Sequence, residues 1–419
     1  MPLKTLLVIL DGLGDRCHTE LGSRTPLEYA KTPVLDELAK RSETGILNTL
    51  EPGYCLNTDL AHMILFGYDE TDYPGRCLID LYGEGIPLKE NQIGLRTSWA
   101  SVTGDGPFVL KERFVPDLSH FNALTLGELI SGTFNEVHIE WHFSHDSHGF
   151  LILEGEGLSS QISDSDPFYN HQAVMAVEPY DKQLKSRYTA DVVNLYLKYV
   201  HDRLKDHDFN KRRIHKGLLP ANLLLTKWAG AVKEVDSFQV QNGMDGLLIA
   251  GSKLLQGLSR YIDLGFEMEK DFEKGLERAL NSQQAFVCLH SKAPDEAAHT
   301  KKPMNKVNVI EQLDSHLKPL LDVDLDEWVV VITSDHSTPS SGELIHSGES
   351  VPILVYGKNT RPDSVEFFGE RSCLKGSHRL KGKDLMPLIL NVSDRANLYH
   401  LRHGNKHRLY KPLKVNPLK

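Results

Sequence analysis

Six residues of this chain have the types and positions to do chemistry together: Asp11, Asp295, Asp335, His299, His336 and His346. Each lies just outside a short apolar run. Asp11 follows Leu6 to Leu10, Asp295 and His299 follow Ala285 to Leu289, Asp335 and His336 follow Trp328 to Thr333, and His346 is in the loop before Val351 to Tyr356. Carboxylate oxygen mixed with imidazole nitrogen is a donor set for zinc or manganese, and six such groups at one edge of a sheet predict a dinuclear site. Asp295 and His299 are i and i+4, so on a helix they share a face and can hold one ion. Asp335 and His336 are neighbours that point apart in a strand, so sharing an ion requires a turn, for which Thr338-Pro339 is suited. A nucleophile is offered by Asn57-Thr58-Asp59, which precedes an apolar stretch and reads as a helix start with free backbone N–H groups around Thr58. Beside a divalent cation a threonine hydroxyl becomes acidic enough to attack. The plain alternative is a helix cap, and position alone leaves the two open.

The four apolar runs lack polar alternation, as expected of strands buried on both faces of a parallel sheet. Functional groups in such sheets gather beyond the carboxyl ends of the strands. Between the later runs, Val307, Ile310, Leu313, Leu317 and Leu320 recur at helical spacing, which gives strand, helix, strand. An earlier helix is predicted with Thr32 as its cap, Pro33 in its first turn, and Val34, Leu35 and Leu38 facing inward. The predicted fold is α/β: a mostly parallel sheet flanked by helices, with an inserted second α/β domain. Residues 1–91 plus 282–419 form the metal-binding core, and 92–281 form the inserted substrate or cap domain.

Composition limits the partners. Lys+Arg 47 against Asp+Glu 57 leaves a net charge of −10, with no global attraction for nucleic acid or an anionic membrane. The basic segment Lys211 to Lys216 reads as a solvated helix face, and the acidic pair Asp164 and Asp166 as turn formers. No apolar stretch is long enough to span a membrane, and the run ending at Leu10 reads as a first strand rather than a signal peptide. Five cysteines without a CxxC pair suit a reducing cytoplasm. Of 20 histidines, three are assigned to metal and His62 and His290 to their support. The run containing His142, His145 and His148 stands apart.

In order along the chain, ILDGLGDR, TPLEYAKTPVLDELAK, NTDLAHMILFGYD, GEGIPLKENQIGLRTSWASV, SKAPDEAAH, and TSDHSTP with HSGESVPILVYG resemble the archaeal-type cofactor-independent phosphoglycerate mutases of the alkaline phosphatase superfamily. The resemblance implies an alkaline-phosphatase-like fold and two divalent ions, manganese or zinc. One ion would be held by Asp11, Thr58, Asp335 and His336, and the other by Asp295, His299 and His346. It implies that Thr58 is the nucleophile, that Lys292 neutralises phosphoryl charge, and that Arg76 and Arg96 contact a small phosphorylated substrate. The implied activity is that of a glycolytic isomerase, interconverting 2- and 3-phosphoglycerate through a phosphothreonine. The family includes monomers and larger assemblies, so a homo-oligomer is compatible with it.

The chain departs from the family pattern at several positions. The family's usual nucleophile is serine where this chain has Thr58. Substrate arginines expected in the insert are replaced: LKERFVPDLSH offers only Lys111 and Arg113, Gly149 stands where an arginine follows a histidine, and Lys227 and Trp228 occupy another arginine segment. Lysine does not reproduce the bidentate grip of guanidinium. The alternative is therefore a related phosphatase, phosphodiesterase, or phosphonate hydrolase or transferase with another substrate. An inactive metal-binding scaffold is disfavoured by the intact set of six ligands. If His142, His145 and His148 replace the guanidiniums, substrate affinity should weaken as pH rises through neutrality.

Overall fold

The computed structural model describes residues 2–396 and 417–418. In chain order, β1 (Lys4–Leu10) and β2 (Glu43–Asn48) come first. They are followed by β3 (Gln92–Thr103), β4 (Val109–Glu112), β5 (Gly132–Phe134), β6 (Val137–His145), β7 (His148–Glu154) and β8 (Leu223–Ala231). The chain then forms β9 (Gly246–Ala250), β10 (Gly265–Met268), β11 (Phe286–Ser291), β12 (Trp328–Thr333), β13 (Val351–Tyr356) and β14 (His378–Lys381). Two compact units result: Pro74–Glu234, and the chain on either side of it. The insertion thus starts and ends earlier than the expected 92–281. Pairing explains the shift: β9 runs parallel to β11 and β10 parallel to β9, so both extend the core sheet. The helix Arg76–Gly83 instead packs on β8 and β3.

The core sheet has the order β10-β9-β11-β1-β12-β13-β2-β14. The pairs from β10 to β12 are parallel, and β13 runs antiparallel to both its neighbours. β11, β12 and β13 are buried along their whole length, as their unbroken apolar runs require. Leu10 pairs with Ser291 and Ile9 with Thr333, so the chain leaves β1, β11 and β12 at one level. Because β13 is antiparallel, the loop before it arrives at that same edge. The sheet is mostly parallel, as expected, but the Val351 to Tyr356 run read as a parallel strand runs the other way, which brings His346 to residues that follow the other strands.

The early helix forms as Pro33–Lys40, but the Thr32 side chain does not cap it. Buried Asp314, on the helix Pro303–His316, accepts from the backbone N–H groups of Val34 and Leu35 at 3.2 and 2.8 Å. A residue distant in sequence satisfies the free donors of that helix end.

The second unit is built on the sheet β4-β3-β7-β6-β5, with β8 also paired to β3. One hydrophobic core gathers Trp99, Trp141, Leu151 and Leu153 with Val193, Tyr196 and Val200 of the helix Leu184–Leu204. The Trp141 ring covers Gly149 so closely that a Cβ there would sit 2.3 Å from the indole. Packing therefore excludes a side chain at a position where the family pattern suggested arginine. The basic segment is exposed as expected except at Arg213, which is buried and donates to the carbonyls of Leu219, Pro116 and Asp117. No described helix is long and apolar enough to cross a membrane. All five cysteines are free thiols.

Candidate metal centre

The six residues converge in the core unit. β12 ends at Thr333, so Asp335 and His336 lie in the turn beyond it, and the predicted turn is present. The Asp335 carboxylate anchors that turn by accepting from the backbone N–H groups of Gly12 and His336 at 3.1 and 3.0 Å. Asp295 and His299 share a face of the helix Ala293–His299, with Nε2 of His299 3.2 Å from Asp295. His346 Nε2 lies 3.5 Å from the other oxygen of Asp295. Two groups of donors form, Asp11 with Asp335 and His336, and Asp295 with His336 and His346, each within 4.8 Å. His336 belongs to both.

Hydrogen bonds set which ring nitrogens carry protons. Nδ1 of His346 faces the carbonyl of Leu56 at 2.8 Å, and a carbonyl only accepts, so Nδ1 donates and Nε2 keeps its lone pair. Thr338 Oγ1 donates to Asp295 at 2.7 Å and lies 3.2 Å from Nδ1 of His336, which leaves the hydroxyl to accept from that nitrogen. His336 Nε2 is then also a lone pair, 3.5 Å from Asp11 Oδ1 and 3.3 Å from Asp335 Oδ2. All three atoms are buried without a hydrogen-bond partner. Buried lone pairs facing one another are costly unless a cation lies among them, so this donor set fits a divalent metal.

Electrostatics agree. Burial pushes the His336 imidazolium down to about 4, so the ring is neutral at neutral pH. Burial and the adjacent Asp11 charge push Asp335 well above the usual carboxylate range. Burial opposes ionisation of Asp11 too, but the hydrogen bond from His290 and the Lys292 charge hold it well below that range. His290 Nε2 donates to Asp11 Oδ2 at 3.0 Å. Lys292 Nζ reaches the same oxygen at 3.3 Å and Asp295 at 3.1 Å, so it is not a solvated loop lysine.

Thr58 is the first residue of the helix Thr58–Leu65, whose cap position, Asn57, makes no side-chain cap. The Thr58 hydroxyl is nearly buried and donates to Asp11 Oδ2 at 3.3 Å, so it faces the donor cluster. His62, one turn on, donates from Nδ1 to the Thr58 carbonyl at 2.7 Å and stays neutral, its imidazolium pushed down to about 3 by burial. A cavity of about 270 Å³ opens beside His290 and Lys292, lined also by Ser252, Lys270 and Glu296. In the sequence Thr338 reads only as a turn residue. Its hydroxyl links the two donor groups, a role that no spacing rule signals.

The second unit carries the remaining candidates. Arg76 pairs with Asp80 at 3.4 Å and lies over the Trp228 ring. Arg96 donates to Ser144 at 3.3 Å and stacks on Phe150. Arg113 grips buried Asp166 through two bonds of 2.9 and 2.7 Å, and Lys227 lies 3.8 Å from the same carboxylate. Asp166 also accepts from Phe168 N two residues on, the local turn bond expected, whereas Asp164 accepts from Trp228 N and ties its segment to β8. Burial and then the Arg96 charge push His148 down to about 4 and lower His145 as well. Both shifts favour the neutral imidazole, which argues against these two rings standing in for guanidinium cations.

Residues 3–392 match the family model described as the metalloenzyme superfamily. The chain is 42% identical, over 98% of both sequences, to 2,3-bisphosphoglycerate-independent phosphoglycerate mutase 2 of Methanocaldococcus jannaschii. It is 32% identical to the Ignicoccus hospitalis enzyme of that name, over 95% of this chain and 99% of the other. Among solved structures it is similar to the cofactor-independent phosphoglycerate mutase of Thermoplasma acidophilum, with a TM-score of 0.67, 30% identity, and coverage of 93% of this chain and 100% of that one. A Pyrococcus horikoshii protein superposes with a TM-score of 0.76 at 28% identity, over 95% and 99% of the two chains. With its donor groups in place and its matches running nearly end to end, the chain belongs to the metalloenzyme superfamily and, within it, to the family of 2,3-bisphosphoglycerate-independent phosphoglycerate mutases.

Proposed function

We propose that this protein is a metal-dependent phosphoglycerate mutase that interconverts 2- and 3-phosphoglycerate through a phosphothreonine at Thr58. The observation that carries this reading is the Thr58 hydroxyl, turned onto Asp11 beside two groups of candidate metal donors. Asp11, Thr58, Asp335 and His336 would hold one divalent ion, and Asp295, His299 and His346 a second, manganese or zinc being suited to the mixed oxygen and nitrogen set. When bound, the ions supply positive charge that makes the hydroxyl a better nucleophile and offsets charge on the phosphoryl oxygens.

The chain's own residues do the rest. Asp11, held ionised, orients the Thr58 hydroxyl, and His290 and Lys292 hold Asp11 in place. Lys292 brings a full positive charge to the phosphoryl position. His62 fixes the first turn of the nucleophile's helix through the Thr58 carbonyl. Transfer to Thr58 and back to the other hydroxyl of the same glycerate needs the sugar acid to stay bound between steps. We assign Arg76 and Arg96 to that retention, because guanidinium recognises carboxylate and phosphate. The extra methyl of Thr58 relative to serine narrows the in-line approach without removing the nucleophile.

The test supplies manganese-loaded protein with 3-phosphoglycerate and follows 2-phosphoglycerate and free phosphate by phosphorus NMR. Isomer formation without phosphate release is expected. Phosphate release alone, or inertness towards phosphoglycerate while an aryl phosphate is cleaved, would replace the mutase with a hydrolase.

A further inference from the structure

Lys306 reads in sequence as an ordinary polar position of a helix, yet it is fully buried on the helix Pro303–His316. Its ammonium donates to the carbonyls of Gly14 and Thr338, each at 2.9 Å, and to Asp15 Oδ2 at 3.1 Å. All three donors are thereby used. Asp15 in turn accepts from the Ser340 hydroxyl at 2.7 Å and from the Ser340 backbone N–H at 3.1 Å. Gly14 lies three residues beyond Asp11, and Thr338 two beyond His336. The Thr338 N–H also donates to the Gly14 carbonyl at 2.9 Å.

A buried ion pair is weak evidence for stability, since apolar residues of equal volume commonly replace one at no cost. Its geometry here does something else. The β1 exit carries Asp11, the β12 exit carries Asp335 and His336, and Lys306 cross-links the two loops without touching a donor. Through the Thr338 hydroxyl on Asp295, the same link reaches the other donor group. Donor separation at such a site must hold to a few tenths of an ångström, and groups outside the ligand set commonly enforce it.

We propose that Lys306, with Asp15, is a positioning residue of the metal centre, setting the spacing between the β1 exit that carries Asp11 and the β12 exit that carries Asp335 and His336. This inference rests on the metal-centre reading above. The experiment titrates metal-free, full-length protein with manganese by calorimetry, at a temperature where circular dichroism shows each variant folded. Wild type is compared with Lys306→Met, which keeps the unbranched stem, and with Asp15→Asn/Lys306→Met, which leaves no charge unpaired. Both variants are expected to bind manganese about 10–100-fold more weakly. The double variant should recover thermal stability relative to Lys306→Met without recovering affinity, a separation that a purely structural role would not produce. Wild-type affinity in either folded variant overturns the proposal, as does loss of fold in both. No binding by the wild-type protein would instead overturn the metal-centre reading itself.

Discussion

His336 and His346 stack with ring centroids 4.0 Å apart and planes 25° from parallel, although one follows a strand and the other precedes one. The contact exists because β13 runs against its neighbours, and it makes His336 the member common to both donor groups. Two imidazolium cations at this distance would repel, so the stack suits the neutral His336 ring. Removing His336 should therefore cost more metal than removing His346. Metal per chain after dialysis against manganese is expected to fall partly in His346→Ala and furthest in His336→Ala. Manganese should also raise the melting temperature of the wild type, by the equivalent of about 2.7 kcal/mol at a hundredfold excess over Kd, and of His336→Ala far less.

Thr58→Ala removes the hydroxyl while leaving the carboxylate and imidazole donors. Turnover of 3-phosphoglycerate should drop by roughly 10⁴-fold or more, on the scale of nucleophile deletion in enzymes with covalent intermediates. Metal content should remain substantially intact. Unchanged turnover would remove Thr58 from the role.

Arg96→Met keeps much of the stem that lies over Phe150 and deletes the charge. If Arg96 binds a substrate anion, kcat/KM should fall roughly ten- to a hundredfold, the worth of a hydrogen bond to a charged group. The loss should appear mainly in KM. A variant with wild-type KM would leave Arg96 as scaffold for Ser144.

His148 gives a pH dependence of defined sign. Its folded-state value is held at about 4, below the ordinary 6.5. Between those values the unfolded chain binds the proton and the folded chain does not, so its contribution to stability is full above 6.5 and is lost as pH falls towards 4. The His148 ring resonance should move only as pH falls towards about 4. In His148→Asn, the fall in melting temperature between neutral and mildly acid pH should be smaller than in the wild type. A ring titrating near 6.5 would contradict the half-buried, Arg96-facing environment.

Asp314→Ala deletes the cap on the helix Pro33–Lys40 and leaves two backbone donors without their partner. A loss of about 1–2 kcal/mol is expected, measured as a lower denaturation midpoint. Thr32→Ala should cost less, because the Thr32 side chain does not cap that helix.

Local sequence rules reached much of this protein. Unbroken apolar runs are strands buried on both faces, Asp295 and His299 at i and i+4 must share a helix face, and a polar residue directly after a buried strand must emerge at the sheet edge. Those rules follow from backbone periodicity and burial, which neighbouring residues determine. They point to all six donors at one sheet edge, and the motifs carry the family. Strand direction is not a local property: β13 looks like its neighbours in composition, and only its pairing with β12 and β2 shows that it runs the other way, bringing His346 to the donors. The same holds for the insertion boundaries, decided by whether β9 and β10 pair with β11 or elsewhere, and for Gly149, whose missing side chain reflects the Trp141 ring above it. Lys306, Asp314 and Thr338 show the limit most plainly. Each is a common polar residue on a helix or turn, and each acquires its partners from segments hundreds of residues or several elements away. Sequence determined which chemistry was available, because donor types are written in the side chains. Tertiary structure decided which donors meet, which protons they carry and what holds them apart, because those depend on the directions and packing of chain segments that no local pattern records.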